Sequence, residues 1–441
     1  MIRKLFSSQL RINMFSGTAT TVINGTVMLI AYPVFLYFLG YEKYGVWLVL
    51  ATVLTFAQLG DIGIGPAITK LVAEEYGRND IKGIQCYITT ALAMLCISGA
   101  VILTVILVFK TQITMLFRLN DENASMVLWL LPYIGVLSVY VFMVLALNAV
   151  LSGLGRMDLA NYIQSLGRVV IVVVASILLY IGRGIESLLI ANIASYVFIH
   201  IATLICIRRI VQIRLLRIDN LDAHRGKRIL RFGIAMFSSS IMSMLFDPFN
   251  KLMLSRYAGI SAVPVYDIAY RGSMQVRALI ETGFRALMPE ISRIGANMTA
   301  QVRDRISAIN RRAIKLLFFV ALPLYTGLII LLTPLLKIWL KDNFVIELPI
   351  AFRIILIGTF IGLFGVPAYY TLLGLGMVRN TLMSQFILSS VNALILLTIV
   401  FVFHRGISVE TVSVVVLSAI TMSTLYLRWQ NYRRVLKDRQ E

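Results

Sequence analysis

Apolar runs long enough to cross a bilayer fill this chain almost from end to end, and no other feature constrains its fold as tightly. Residues 86–109, 128–150, 163–182 and 386–403 are examples. A spanning helix needs about 20 mostly apolar residues. In hydrocarbon each backbone N–H and C=O must find its partner within its own segment, so these runs have to be helical. Hydrophobic residues make up 59% of the chain and charged residues only 14%, against roughly a quarter charged in soluble domains. The pattern predicts an all-α polytopic membrane protein with about twelve transmembrane helices. Their expected places are 13–39, 46–72, 84–109, 124–150, 161–182, 187–207, 232–257, 263–288, 312–335, 348–373, 381–403 and 408–428.

Little remains for a soluble domain. The longest polar gaps are 208–231 and 290–312, and no Walker A motif or extended polar tail is present. Met1 to Phe15 carries Arg3, Lys4 and Arg11 without a small-residue cleavage site, so a retained first helix is expected rather than a signal peptide. Cys86, Cys96 and Cys206 lie in or beside apolar runs and read as small hydrophobes, not as a disulfide framework.

A net charge of +20 raises the question of nucleic acid, but the distribution of charge answers it differently. With the helices placed as above, 28 of the 41 Lys and Arg residues fall on the side that holds both termini, and eight of these lie within 208–231. The opposite side has eight, and five lie within spans. The positive-inside rule then places both termini and the 208–231 loop in the cytoplasm. The basic excess is topology, helped by anionic lipid headgroups, and no nucleic-acid partner is expected.

The chain also resembles itself at a spacing near 220. Leu39-Gly40, followed by Gly45-Val46-Trp47, matches Ala258-Gly259, followed by Pro264-Val265-Tyr266; Gly153-Leu154-Gly155 matches Gly374-Leu375-Gly376. Six helices, a basic loop and six helices make two repeats of the same orientation, with a cavity expected between them. The expected organisation is an N-terminal six-helix bundle (1–207), a basic cytoplasmic linker (208–231) and a C-terminal six-helix bundle (232–441) ending in a short basic tail.

Ionisable residues at membrane depth are costly and normally face a cavity or a partner. The first half has Asp61 and Arg168. The second concentrates them: Asp247 and Lys251 in helix 7, Asp267, Arg271, Arg277 and Glu281 in helix 8, and Arg353 in helix 10. The helix 7 and 8 residues form pairs four apart, which shares a face. At about 100° per residue, Asp267, Arg271, Met274, Ala278, Glu281 and Arg285 form one polar stripe, expected to line a wet cavity. The bland reading is that the pairs neutralise one another and lock the fold. As a binding site, Lys251, Arg271, Arg277, Arg168 and Arg353 are candidate cations for a phosphate or carboxylate, since a guanidinium fork holds such anions by two bonds. Asp61, Asp247, Asp267 and Glu281 are candidate coupling or cavity carboxylates. A drug-cation exporter would more naturally show unpaired carboxylates.

Gly60-Asp61-Ile62-Gly63-Ile64-Gly65-Pro66 mimics a nucleotide loop but lies in an apolar span without a preceding soluble strand. Its glycines suit close helix packing and Pro66 a bend. Pro33, Pro132, Pro248, Pro323 and Pro367 interrupt other spans, as in helices that bend during alternating access. His200, His224 and His404 are scattered, with no metal-ligand spacing and no nucleophile beside a base. Neither enzymatic chemistry nor a cofactor is expected.

Several segments resemble the O-antigen and polysaccharide flippase branch of the multidrug/oligosaccharidyl-lipid/polysaccharide (MOP) flippase superfamily. They are Leu39-Gly40-Tyr41-Glu42-Lys43-Tyr44-Gly45-Val46-Trp47, then Gly60 to Gly65 running on to Glu74-Glu75-Tyr76-Gly77-Arg78-Asn79-Asp80, and Leu154-Gly155-Arg156. The resemblance implies a V-shaped pair of six-helix bundles that moves undecaprenyl-diphosphate-linked oligosaccharide to the periplasmic leaflet of the bacterial inner membrane. Asp61 is the one position that maps directly onto a family motif. Implied partners are the lipid-linked oligosaccharide, membrane lipids, a polysaccharide polymerase and a chain-length regulator. A lipid II flippase, a cation-coupled multidrug exporter of the same fold and a non-transporting scaffold of a polysaccharide assembly complex are the other readings.

Overall fold

The computed structural model describes residues 2–61, 63–211, 220–284, 287–294, 299–404 and 406–436. Arg285 of the expected stripe and most of the expected linker, 212–219, lie outside them. The described residues form fifteen α-helices and no strand. In order these are α1 (Ile2–Ala57), α2 (Ile64–Gly77), α3 (Ile81–Val108), α4 (Lys110–Phe117), α5 (Asp121–Gly153), α6 (Met157–Tyr180), α7 (Glu186–Ile210) and α8 (Ala223–Tyr257). There follow α9 (Ala262–Phe284), α10 (Leu287–Ile294), α11 (Ala300–Leu340), α12 (Glu347–Leu363), α13 (Val366–Gly374), α14 (Val378–Phe401) and α15 (Val409–Asn431).

Nine runs of described residues are long and apolar enough to cross a membrane. One of them, Phe15–Asp61, covers most of the first expected span and the first part of the second: α1 turns at Gly40, whose backbone (φ 66°, ψ 178°) is open to glycine at little cost, and resumes at once as helix. Two expected spans outside the nine fall on α8 and α9, which carry Asp247, Lys251, Asp267, Arg271, Arg277 and Glu281. The chain divides into two compact units, Met1–Ile241 and Met242–Glu441, so that α8 begins in the first and ends in the second.

In the first unit α6 packs on α7 and α1, and α3 and α2 pack on α5. Their shared core includes Ile68, Leu71, Ile84, Leu95, Phe142 and Leu151. The expected second helix is interrupted at a 3₁₀ turn, Gln58–Asp61, and restarts as α2. Gly63 there is left-handed (φ 74°), and a β-carbon on it would collide with the Gly233 carbonyl. Asp61 accepts the Gly65 N–H at 3.2 Å, capping the new helix. Pro66 therefore makes no bend: it sits in the first turn of α2, where its missing N–H has no helical partner to lose. Beyond α2, Arg228 of α8 pairs with Glu74 and the Tyr87 hydroxyl, and Arg225 donates to the Gly83 carbonyl at 3.1 Å.

In the second unit α12 packs between α9 and α15, with α14 against α15, α11 against α12 and α10 against α13. Pro367, near the start of α13, separates it from α12. The backbone repeats the first unit. Gly155 (φ 80°) and Gly376 (φ 76°) each follow a helix end, and the bonds Leu154 N–Val150 O, Gly155 N–Ser152 O and Arg156 N–Leu151 O recur as Leu375 N–Thr371 O, Gly376 N–Leu373 O and Met377 N–Leu372 O. Positive φ angles also recur at Gly40 and Gly259, Arg118 and Lys341, and Gly182 and His404.

Candidate functional site

The charged residues of α8 and α9 meet inside the second unit. Lys251 is 3% exposed and Asp267 1%, a degree of burial that isolated charges do not survive. The Lys251 ammonium lies 2.8 Å from Asp247 Oδ2 and 2.7 Å from Asp267 Oδ1. Arg271 Nε approaches the same Asp267 oxygen at 2.7 Å, and its Nη2 lies 3.9 Å from Asp247, but half of its side chain is exposed. Two carboxylates and two cations cancel. An uncharged chain continues from this group: Asn392 donates to Asn250 (2.7 Å), which donates to the Tyr266 hydroxyl (2.9 Å), and the Tyr266 ring stacks on Tyr270 at 5.5 Å.

One to two turns further along α9 is a cavity of about 320 Å³. Arg277 and Glu281 line it together with Tyr270, Met274, Gly362 and Tyr370. Arg277 Nε donates to Glu281 Oε2 at 3.2 Å, and the Tyr370 hydroxyl donates to Glu281 Oε1 at 3.2 Å. The carboxylate is thus held on both oxygens, whereas Arg277 has no further protein partner among the described residues. Its Nη1 lies against Gly362, where a β-carbon would come within 3.1 Å of it. The two free guanidinium nitrogens therefore stand at the cavity wall.

The lining residues Tyr270, Met274, Arg277 and Glu281 follow one another at helical spacing. Their line is turned by about 50° from the stripe read in the sequence. Asp267 and Arg271 face α8 instead, and Ala278 is not among the lining. The remaining candidates stand apart from this group. Arg353 on α12 donates to the Ile329 carbonyl (3.1 Å) and the Thr333 hydroxyl (2.8 Å) of α11, next to Pro334. Both partners lie one turn apart on α11, so Arg353 ties α12 to α11. Arg168 is exposed on α6 in the first unit, and Asp61 caps α2 there. Sequence reasoning missed Tyr370, Tyr270, Asn250 and Asn392. Two asparagines within apolar runs were a usable signal; the tyrosines were not, because aromatic residues are ordinary in spanning helices.

Against known proteins, the model of the polysaccharide biosynthesis protein family matches residues 10–295. No curated protein shows a significant match. An inward-facing multidrug resistance MATE family transporter of the MOP superfamily superposes with a TM-score of 0.77 at 16% identity, over 98% of this chain and 99% of the other. The same transporter family in its outward-facing conformation gives 0.55 at 15% identity, over 97% and 94%. A MOP superfamily transporter from Pyrococcus furiosus, described as having a binding pocket of reverse polarity, gives 0.59 at 16% identity, over 96% and 97%. The fold is thus that of MOP-superfamily transporters. The chain is a multi-pass membrane protein and belongs to the polysaccharide biosynthesis protein family.

Proposed function

We propose that this protein translocates an undecaprenyl-diphosphate-linked oligosaccharide, an O-antigen or related repeat unit, across the bacterial inner membrane by alternating access, with both termini cytoplasmic and without catalysis. The observation that carries this reading is Arg277, fixed by Glu281 through Nε at the wall of a cavity, with Nη1 beside Gly362. A diphosphate is the ligand that such a fork suits. A volume of about 320 Å³ is at the small end of ligand sites, enough for the diphosphate and the first sugar while the polyprenyl tail stays in lipid. The two access states need only interconvert, with the ligand biasing their populations. Family membership favours a glycan carrier. The pairing of Asp247, Asp267 and Glu281 with cations weighs against a drug-cation exporter.

The test is binding to purified protein in nanodiscs. Undecaprenyl diphosphate should bind at least tenfold more tightly than farnesol or a cationic amphiphile. Arg277→Gln should lose about 10–100-fold, the worth of a charged hydrogen bond, and Arg277→Lys should recover part of it. Preference for the cationic amphiphile would turn the reading to an exporter, and equal affinity for all would leave a scaffold.

A further inference from the structure

A second cavity, of about 300 Å³, lies in the second unit where α11, α13 and α15 meet. Its wall carries Arg311 and Arg428 with Ser307, Asn310, Asn431 and Tyr432, and no carboxylate. Neither arginine has an ion-pair or side-chain hydrogen-bond partner among the described residues. Phe364, which follows the end of α12, and Pro367 and Ala368, in the first turn of α13, line it as well. A helix N-terminus adds partial positive charge to two guanidinium groups. Two uncompensated cations sharing one concavity repel each other, and an anion between them removes that cost.

The surroundings identify the source of the anion. The cavity lies at the end of the unit where Arg303, Arg305, Arg312, Lys315, Arg433 and Arg434 cluster. Trp429 at the end of α15 and Tyr432 just after it are both about half exposed, and Arg433 lies over the Trp429 ring at 5.5 Å. Such a belt of tryptophan, tyrosine and arginine marks the depth of lipid headgroups. We propose that this cavity binds the headgroup phosphate of an anionic membrane lipid, through Arg311 and Arg428, at a site separate from the Arg277 cavity. The two cavities lie on opposite faces of the α12–α13 break: Gly362, Gly365 and Val366 line one, and Phe364, Pro367 and Ala368 the other.

Full-length protein in phosphatidylcholine nanodiscs, titrated with phosphatidylglycerol and read by native mass spectrometry, tests this. The wild type should retain phosphatidylglycerol, and Arg311→Gln/Arg428→Gln should weaken it at least tenfold. The control Arg312→Gln/Arg434→Gln removes the same charge outside the cavity and should change binding less than threefold. Arg428→Lys keeps the charge, guards against misfolding of the double variant, and should bind between the two. Equal loss in the control would reduce the effect to general surface attraction and overturn the proposal. Displacement of the lipid by millimolar inorganic phosphate, with equal binding of phosphate in its absence, would assign the cavity to a free ion and overturn it as well.

Discussion

Replacing Lys251 with Met isolates what the charge cluster does for the fold. Methionine matches the length of the aliphatic stem but removes the ammonium that lies 2.8 Å from Asp247 and 2.7 Å from Asp267. Asp267, 1% exposed, then loses its buried counter-charge and keeps the ion pair with Arg271, whose side chain is half exposed. Removing one partner of a buried ion pair costs about 3–5 kcal/mol, because the other charge is left uncompensated. For a unit of this size, 1 kcal/mol corresponds to roughly 2–4 °C in melting temperature, so the melt of Lys251→Met should fall by ~6–20 °C. Arg271→Gln behaves differently. Asp267 retains Lys251, and a half-exposed pair is worth about 1 kcal/mol or less, which gives a fall of no more than ~4 °C. The double change Lys251→Met/Asp267→Asn should recover most of the loss, since a neutral cluster no longer needs the cation. The assay is thermal unfolding of detergent-solubilised protein followed by fluorescence-detected size exclusion, with membrane abundance alongside. Two results refute the reasoning: a melt for Lys251→Met within 2 °C of wild type, or a larger loss for Arg271→Gln than for Lys251→Met.

Gly63→Ala should destabilise more than Gly155→Ala. Both add about 1–2 kcal/mol of left-handed strain, but only at Gly63 does the new methyl meet a backbone carbonyl, that of Gly233; equal melts would remove the packing argument. Gly362→Ala should lower diphosphate affinity severalfold without changing any charge, because its methyl presses on Arg277 Nη1, and the nanodisc titration above reads it. In a cysteine-free background, Met274→Cys at the cavity wall should react with a charged thiol reagent far faster than Ile268→Cys, which is buried on the same helix; comparable rates would deny the cavity its water. Asn392→Leu strands the Asn250 carbonyl oxygen and should cost about 1–3 kcal/mol, seen as a lower melt with unaltered diphosphate binding.

Hydropathy located the spanning runs well but not the ends of helices. It marks where a chain enters hydrocarbon, while the helix often continues into water. α11 starts at Ala300 although its apolar part begins near Leu316, and α8 starts at Ala223 inside the expected polar linker. The short helices α4 and α10 escaped notice because eight residues make too brief a pattern. In the site, spacing four apart correctly paired Asp247 with Lys251, Asp267 with Arg271 and Arg277 with Glu281. It could not show that Lys251 also reaches Asp267 on the next helix, because which helices become neighbours is not written in a one-helix periodicity. The same limit put Arg353 among the candidate cations: its partners, the Ile329 carbonyl and the Thr333 hydroxyl, lie on another helix, and a one-helix periodicity does not show them.

Matching left-handed positions at about 220 residues' distance have a consequence for tracing ancestry. Gly155 and Gly376 close the same three-bond turn within the same Gly-Leu-Gly triplet, whereas Gly182 and His404 share a positive φ on different residues. Selection there acts on a torsion angle, and torsion angles erode far more slowly than side-chain identity. A kinship search that scored only the positions and signs of φ would still pair the two halves of this chain where comparison letter by letter has nearly run out.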